Sequence, residues 1–234
     1  ACSTPATPPA TQTLKKPALD RIAAAPAAAT SADFRQFLAL AAQMQPQLQT
    51  AVSAYLAHKP LAGDDLVNIS RLLGLHNRLR NQAAVIDATA KMVAIPTVRA
   101  DKVPPHEDKH IIAFGALVEG MAKDFGLQYR NVDNRIFEVK LPGSGPEEFG
   151  ILTHADVVPV VADEWVLDDG TRLDPFKLTR VGGNLYGRGS IDDKGSIATV
   201  LFAMKAVKDS GLPLARTIRL MIETTEETGG DAMK

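Results

Sequence analysis

Cysteine is nearly absent from this chain of 234 residues: Cys2 is the only one, so no intrachain disulfide can form. Neither sign of charge dominates. Lys and Arg number 26 against 27 Asp and Glu, a formal net charge of −1, and that balance offers nothing to attract nucleic acid or an anionic membrane surface. No run of about 18 apolar residues occurs, so the sequence predicts no transmembrane helix. What is present is an apolar fraction of 45%, ordinary for a globular protein and enough for a real core.

Cys2 admits two readings. It is an incidental residue in a tail, or it is the acylated cysteine of a bacterial lipoprotein, since Ala1-Cys2 resembles the end of a lipobox. Residues 1–30 are rich in Ala, Pro and Thr and poor in large apolar groups, so they cannot bury enough surface to offset their ordering entropy and read as a disordered tether. A lipid anchor at Cys2 would put the protein in the bacterial envelope or periplasm; without one, the cytoplasm is the alternative.

Residues 31–91 read as a helical segment. Phe34, Phe37, Leu38, Leu40, Ala41 and Met44 recur at helical spacing after Ser31, a candidate cap. A second helical run extends over about 64–93, after the break Lys59-Pro60-Leu61-Ala62-Gly63. From residue 92 the character is α/β. A helix is expected over about 107–125, closed by Gly126. Strands are expected over 127–131 and 135–141, with a turn at Asp133-Asn134. The apolar run 149–153 suits a strand in the middle of a sheet. Asp192 or Asp193 opens another helix, Gly211-Leu212-Pro213 stops it, and 217–222 is again strand-like. Strand, helix, strand in this order implies parallel pairing. The fold class expected is α/β, with a mixed, largely parallel sheet flanked by helices and preceded by the helical segment.

Three clusters fall at strand ends or at the start of a helix, where open α/β sheets gather ligands. They are Thr153-His154-Ala155-Asp156, the stretch from Gly187 to Gly195, and the stretch from Glu223 to Gly230. Singly each is weak: a histidine near a strand end is usually structural, Asp192-Asp193 could simply cap a helix, and Glu226-Glu227 could be a solvated pair. Together they combine imidazole and carboxylate donors, which suit zinc or manganese at an open catalytic site. A carboxylate between two cations can bridge them.

The order His-x-Asp, then Gly-Arg-Gly-x-x-Asp-Asp-Lys-Gly, then Glu-Glu-Thr-Gly resembles the co-catalytic zinc exopeptidases. That family includes carnosinases, bacterial dipeptidases, aminoacylase-1, succinyl-diaminopimelate desuccinylase and carboxypeptidase G2. The resemblance covers 92–234 and includes Met92–Val98, Asp174-Pro175-Phe176 and Leu185–Gly189. It implies that His154 binds one metal, Asp192 bridges two, and Glu227 binds the second. Glu226 would be the general base, and Asp156 would hold the imidazole of His154 in place. Gly195 is read as steric, letting the helix start pack closely on the sheet. A cis peptide near Asp192 is a further implication.

The implied cofactor is two zinc ions, with Mn2+ or Co2+ as substitutes. The implied substrate is a small peptide or N-acyl amino acid, with the double aspartate leaning toward dipeptides over the aminoacylase, desuccinylase and glutamate carboxypeptidase alternatives. Relatives use five metal ligands, of which this chain supplies three, and a lid domain through which they dimerise. The chain is therefore expected to be the N-terminal part of a longer enzyme, binding metal poorly alone, turning over no substrate, and leaving a sheet edge exposed. Groups recognising the substrate carboxylate are expected outside it. The reading from another class is a non-catalytic metal-binding or partner-binding module.

Overall fold

The computed structural model describes residues 31–99 and 103–233. The expected tether 1–30 and Cys2 lie outside the described residues. Helix α1 (Ser31–Met44) buries Phe34, Phe37, Leu38 and Ala41, one stripe at helical period, and turns Leu40 and Met44 outward. Ser31 is the first described residue of this helix. Pro46 then interrupts the chain with a 3-10 turn, Pro46–Leu48, because a proline disfavours helix in the residue before it. Helix α2 (Gln49–Leu56) follows, an element not anticipated separately, burying Ala51, Val52 and Tyr55.

Helix α3 (Gly63–Val93) has 31 residues and runs about 46 Å at 1.5 Å per residue. That length lets it serve two cores. Its first half puts Ile69, Leu72 and Leu73 among the apolar residues of α1 and α2, and its last turns put Ala88 and Met92 into the core of the α/β part. Among the described residues no helix is long and apolar enough to cross a membrane.

Helix α4 (Lys109–Asp124) begins two residues later than expected, because the Asp108 carboxylate accepts from the free N–H groups of His110 (2.7 Å) and Ile111 (3.2 Å). Strands β1 (Gln128–Val132) and β2 (Ile136–Leu141) form the anticipated hairpin, with Asp133 and Asn134 both at positive φ. Then come β3 (Glu148–His154), a short ribbon of β4 (Thr179–Val181) and β5 (Asn184–Tyr186) that was not foreseen, helix α5 (Lys194–Ser210) and β6 (Thr217–Glu223). Gly211, at φ 69°, closes α5 in a left-handed conformation.

The sheet corrects the sequence reading. Its order is β1-β2-β6-β3, and only β3 and β6 pair in parallel; β1 with β2 and β2 with β6 are antiparallel. The sheet is mixed and mostly antiparallel, because β6 returns from α5 into the slot between the hairpin and β3. The apolar run of β3 consequently lies at an edge, with Phe149 57% and Leu152 55% exposed, and not in the middle. One face of the sheet, with Phe137, Val139, Leu220 and Ile222, packs against Phe114 and Val118 of α4 and Ile197, Leu201 and Met204 of α5. This core fixes the carboxyl ends of the parallel pair, where His154 stands opposite Glu223.

Candidate metal centre

His154 ends β3 and is 7% exposed. Its Nε2 lies 2.9 Å from Oδ1 of Asp192, and its Nδ1 lies 3.1 Å from the main-chain oxygen of Asp156 and 3.5 Å from that residue's carboxylate. The Asp156 carboxylate, itself buried, accepts from the N–H groups of Glu226 (3.2 Å) and Glu227 (3.0 Å). It thereby holds the 3-10 turn Glu226–Thr228 at its amino end. So Asp156 does more than was expected of it: it touches the imidazole and also ties the two glutamates to the His154 loop. Donor atoms of His154, Glu226 and Glu227 all come within 4.8 Å of one another. All five candidate residues thus converge, from three separate stretches of chain.

The framework around them is built from the other motif residues. The peptide between Asp192 and Asp193 is cis. Lys194 is fully buried at the start of α5; its Nζ donates to the carbonyl of Ile95 at 2.7 Å and lies 5.7 Å above the Phe114 ring. Thr97 donates from its hydroxyl to the carbonyl of Ala155 at 2.6 Å, and Val98 bridges to Val157. The segment around Ile95-Pro96-Thr97 therefore clamps the loop carrying His154 and Asp156, and Lys194 in turn fastens that segment to the start of α5. A Cβ on Gly195 would collide with the carbonyl oxygen of Ser190, so the glycine is steric as read, but toward the preceding turn and not the sheet.

The electrostatics are lopsided. The Asp156 carboxylate, and after it Asp192, push the His154 imidazole up to about 10 against the opposing effect of burial. Burial raises the Glu227 carboxyl, and the neighbouring charges of Asp192 and Glu226 raise it further. Glu223, 4% exposed, is raised by burial and then by Asp156. It stood inside a quoted cluster without a role, although its place as the last residue of β6 could have marked it. Burial lowers Lys194 to about 7, although Asp156 pulls it upward. Five carboxylates therefore gather near one imidazole, while the buried Lys194 ammonium feels only Asp156 among them. An imidazole with several unpaired carboxylates is a donor set that fits a divalent cation of the zinc or manganese kind.

Asp192 and Glu227 also line a cleft of about 360 Å³ with Arg188, Trp165 and Tyr186. A larger groove of about 680 Å³, walled by Pro96, Val98, Pro159, Val160 and Phe176, contains none of the five residues. Two of the five, Asp192 and Glu227, face the smaller cleft.

The profile of peptidase family M20/M25/M40 matches residues 150–234. The chain is 36% identical over 108 residues to the Beta-Ala-Xaa dipeptidase of Lactobacillus delbrueckii subsp. lactis, covering 46% of this chain and 21% of that protein. It is 32% identical over 161 residues to the Cys-Gly metallodipeptidase dug1 of Schizosaccharomyces pombe, covering 62% and 32%. In fold it is similar to human carnosine dipeptidase 1, with a TM-score of 0.56 at 24% identity over 74% of this chain and 37% of that one. The chain spans about a fifth to a third of the length of these two curated relatives. That match falls on the stretch that bears His154, Asp192 and Glu227, so it is in the region of the metal-centre candidates that the chain is similar to peptidase family M20/M25/M40.

Proposed function

We propose that this chain carries the metal-binding part of a hydrolase that cleaves the amide bond of dipeptides. The observation behind the reading is the convergence of His154, Asp192, Glu226 and Glu227 in one lopsidedly acidic cluster, beside a cleft that Asp192 and Glu227 line. His154, Asp192 and Glu227 would hold the metal, zinc or, in its stead, Mn2+ or Co2+. When bound, such cations supply Lewis-acid polarisation of a carbonyl and lower the pKa of a water toward about 7.

The remaining steps belong to the chain's own residues. Glu226 takes a proton from the attacking water and delivers it to the leaving amine. Its backbone is fixed by Asp156, so its carboxylate need not search for position. Asp156 also holds the imidazole of His154 with Nε2 turned toward Asp192. Lys194 and Thr97 keep the two loops at a fixed separation.

The test is hydrolysis by the intact protein, with added zinc or manganese, of a panel of dipeptides, N-acyl amino acids and glutamate-terminated amides. Dipeptides are expected to be cleaved fastest. Glu226→Ala is expected to abolish turnover while metal content persists. Faster cleavage of N-acyl amino acids would move the substrate class, and normal turnover by the variant would remove Glu226 from the chemistry.

A further inference from the structure

Glu223, Thr224 and Thr225, the last residue of β6 and the two that follow it, are all buried, and each reaches a different part of the frame around the metal centre. The carbonyl of Glu223 accepts from the N–H of Ala155 at 2.8 Å, between His154 and Asp156. The Thr224 hydroxyl donates to the hairpin turn, 3.1 Å from the carbonyl of Arg135 and 3.3 Å from that of Asn134. The Thr225 hydroxyl donates to the Glu223 carboxylate at 3.3 Å and accepts from the N–H of Ala232 at 2.8 Å. The carbonyl of Thr225 accepts from the N–H groups of Gly230 (2.7 Å) and Thr228 (3.1 Å). Gly229 and Gly230, both at positive φ, bend the chain back so that these bonds can close. The turn that carries Glu226 and Glu227 is therefore held at two places: Asp156 takes its leading N–H groups, and Thr225 gathers the residues that follow. A valine would fill nearly the same space as Thr225. Its hydroxyl is needed for hydrogen bonds, because without it the buried Ala232 N–H loses its acceptor and the Glu223 carboxylate loses a donor.

We propose that Thr225, with its hydroxyl seated on Glu223, is a positioning residue of the metal centre: it holds the turn in the shape that presents Glu226 and Glu227 to a cation beside His154, and so strengthens metal binding. The proposal rests on the reading of this cluster as a cation site. It extends that reading from the residues that would touch the ion to the one that aims them.

The experiment compares the wild-type chain with Thr225→Val and Thr225→Ser. Two quantities are measured: the dissociation constant for zinc near pH 7.5, and amide hydrogen exchange over 226–232 without metal. Thr225→Val is expected to bind zinc about tenfold more weakly, the effect of about one buried hydrogen bond. Its N–H groups over 226–232 are expected to exchange faster, while those of β2 keep the wild-type rate. Thr225→Ser keeps the hydroxyl and is expected to match the wild type in both. Thr225→Ala serves if the Val variant loses its circular dichroism spectrum. Wild-type affinity in the Val variant, a Ser variant as weak as the Val, or a change in affinity without a change in exchange each overturns the proposal. Faster exchange at undiminished affinity also overturns it, since the hydroxyl would then serve the fold alone. If the wild type itself retains no zinc, the reading as a cation site falls and the proposal with it. If the wild type retains zinc and the variants do not separate, only the role of Thr225 falls.

Discussion

Two buried histidines, one in each half of the molecule, meet carboxylates in opposite ways. In the helical half His76 bonds Asp33 at 2.8 Å, Arg80 bonds the other oxygen of Asp33 at 2.7 Å, and the imidazole lies against the rings of Phe34 and Phe37. One acid faces one permanent cation, and burial keeps the imidazole below its ordinary value. In the α/β half His154 faces Asp156 and Asp192, with Glu223, Glu226 and Glu227 close by, and is driven up to about 10. In the first cluster a permanent cation faces the acid. The second carries more negative charge than the described residues around it neutralise. Charge matched within the chain belongs to a fold, and charge left over is open to a ligand.

The sharpest way to test this contrast is to remove one aspartate from each cluster. Asp33→Ala strands Arg80 and His76 in a buried position and is expected to cost about 3–5 kcal/mol in urea unfolding. Asp192→Ala in the metal-free chain is expected to cost under about 1 kcal/mol, because the Asp192 side chain is 71% exposed. Similar losses at the two positions would erase the contrast.

Zinc supplies the next effect in size. At a hundred times its dissociation constant it should stabilise the chain by about 2.7 kcal/mol, read as a rise in melting temperature. His76→Asn should keep that increment, and His154→Asn should lose it.

Acidity should divide the histidines by sign. The folded value of His154 is above 6.5, so its contribution is complete below about pH 6.5 and is lost as pH rises toward 10. The folded value of His76 is below 6.5, so its contribution is present above that pH and is lost as pH falls through the folded value. Unfolding of the metal-free chain and its two His→Asn variants, from about pH 5 to about pH 10, should show the wild-type advantage shrinking at opposite ends of the range.

The smallest effect concerns Glu227, whose carboxyl is raised by burial and then by the neighbouring charge of Asp192. Glu227→Gln should stabilise the metal-free chain slightly, by no more than about 1 kcal/mol, while removing the zinc increment. Destabilisation instead would mean that Glu227 is structurally paired.

Much of this was legible in residue order. The stripe Phe34, Phe37, Leu38, Ala41 specified α1, Asp133-Asn134 specified the hairpin turn, and the motifs that resemble the zinc exopeptidases singled out His154, Asp192 and Glu227, side chains that the fold brings close together. What could not be read was set by partners distant in sequence. An apolar strand such as 149–153 looks the same at the middle of a sheet and at its edge, and the slot taken by β6 decides which it is. The second role of Asp156 depends on N–H groups 70 and 71 residues away. Arg188 looked like part of a glycine motif until its neighbour, Trp165, was placed beside it.

The most direct measurement is equilibrium dialysis of the chain against zinc near pH 7.5, with proton release followed in parallel. Metal should be retained, weakly given the part of its relatives that the chain spans, with a proton displaced from His154, and both signals should vanish in His154→Ala and Glu227→Ala. Retention of no metal, or equal retention by those variants, would contradict the central claim that this cleft is a cation site.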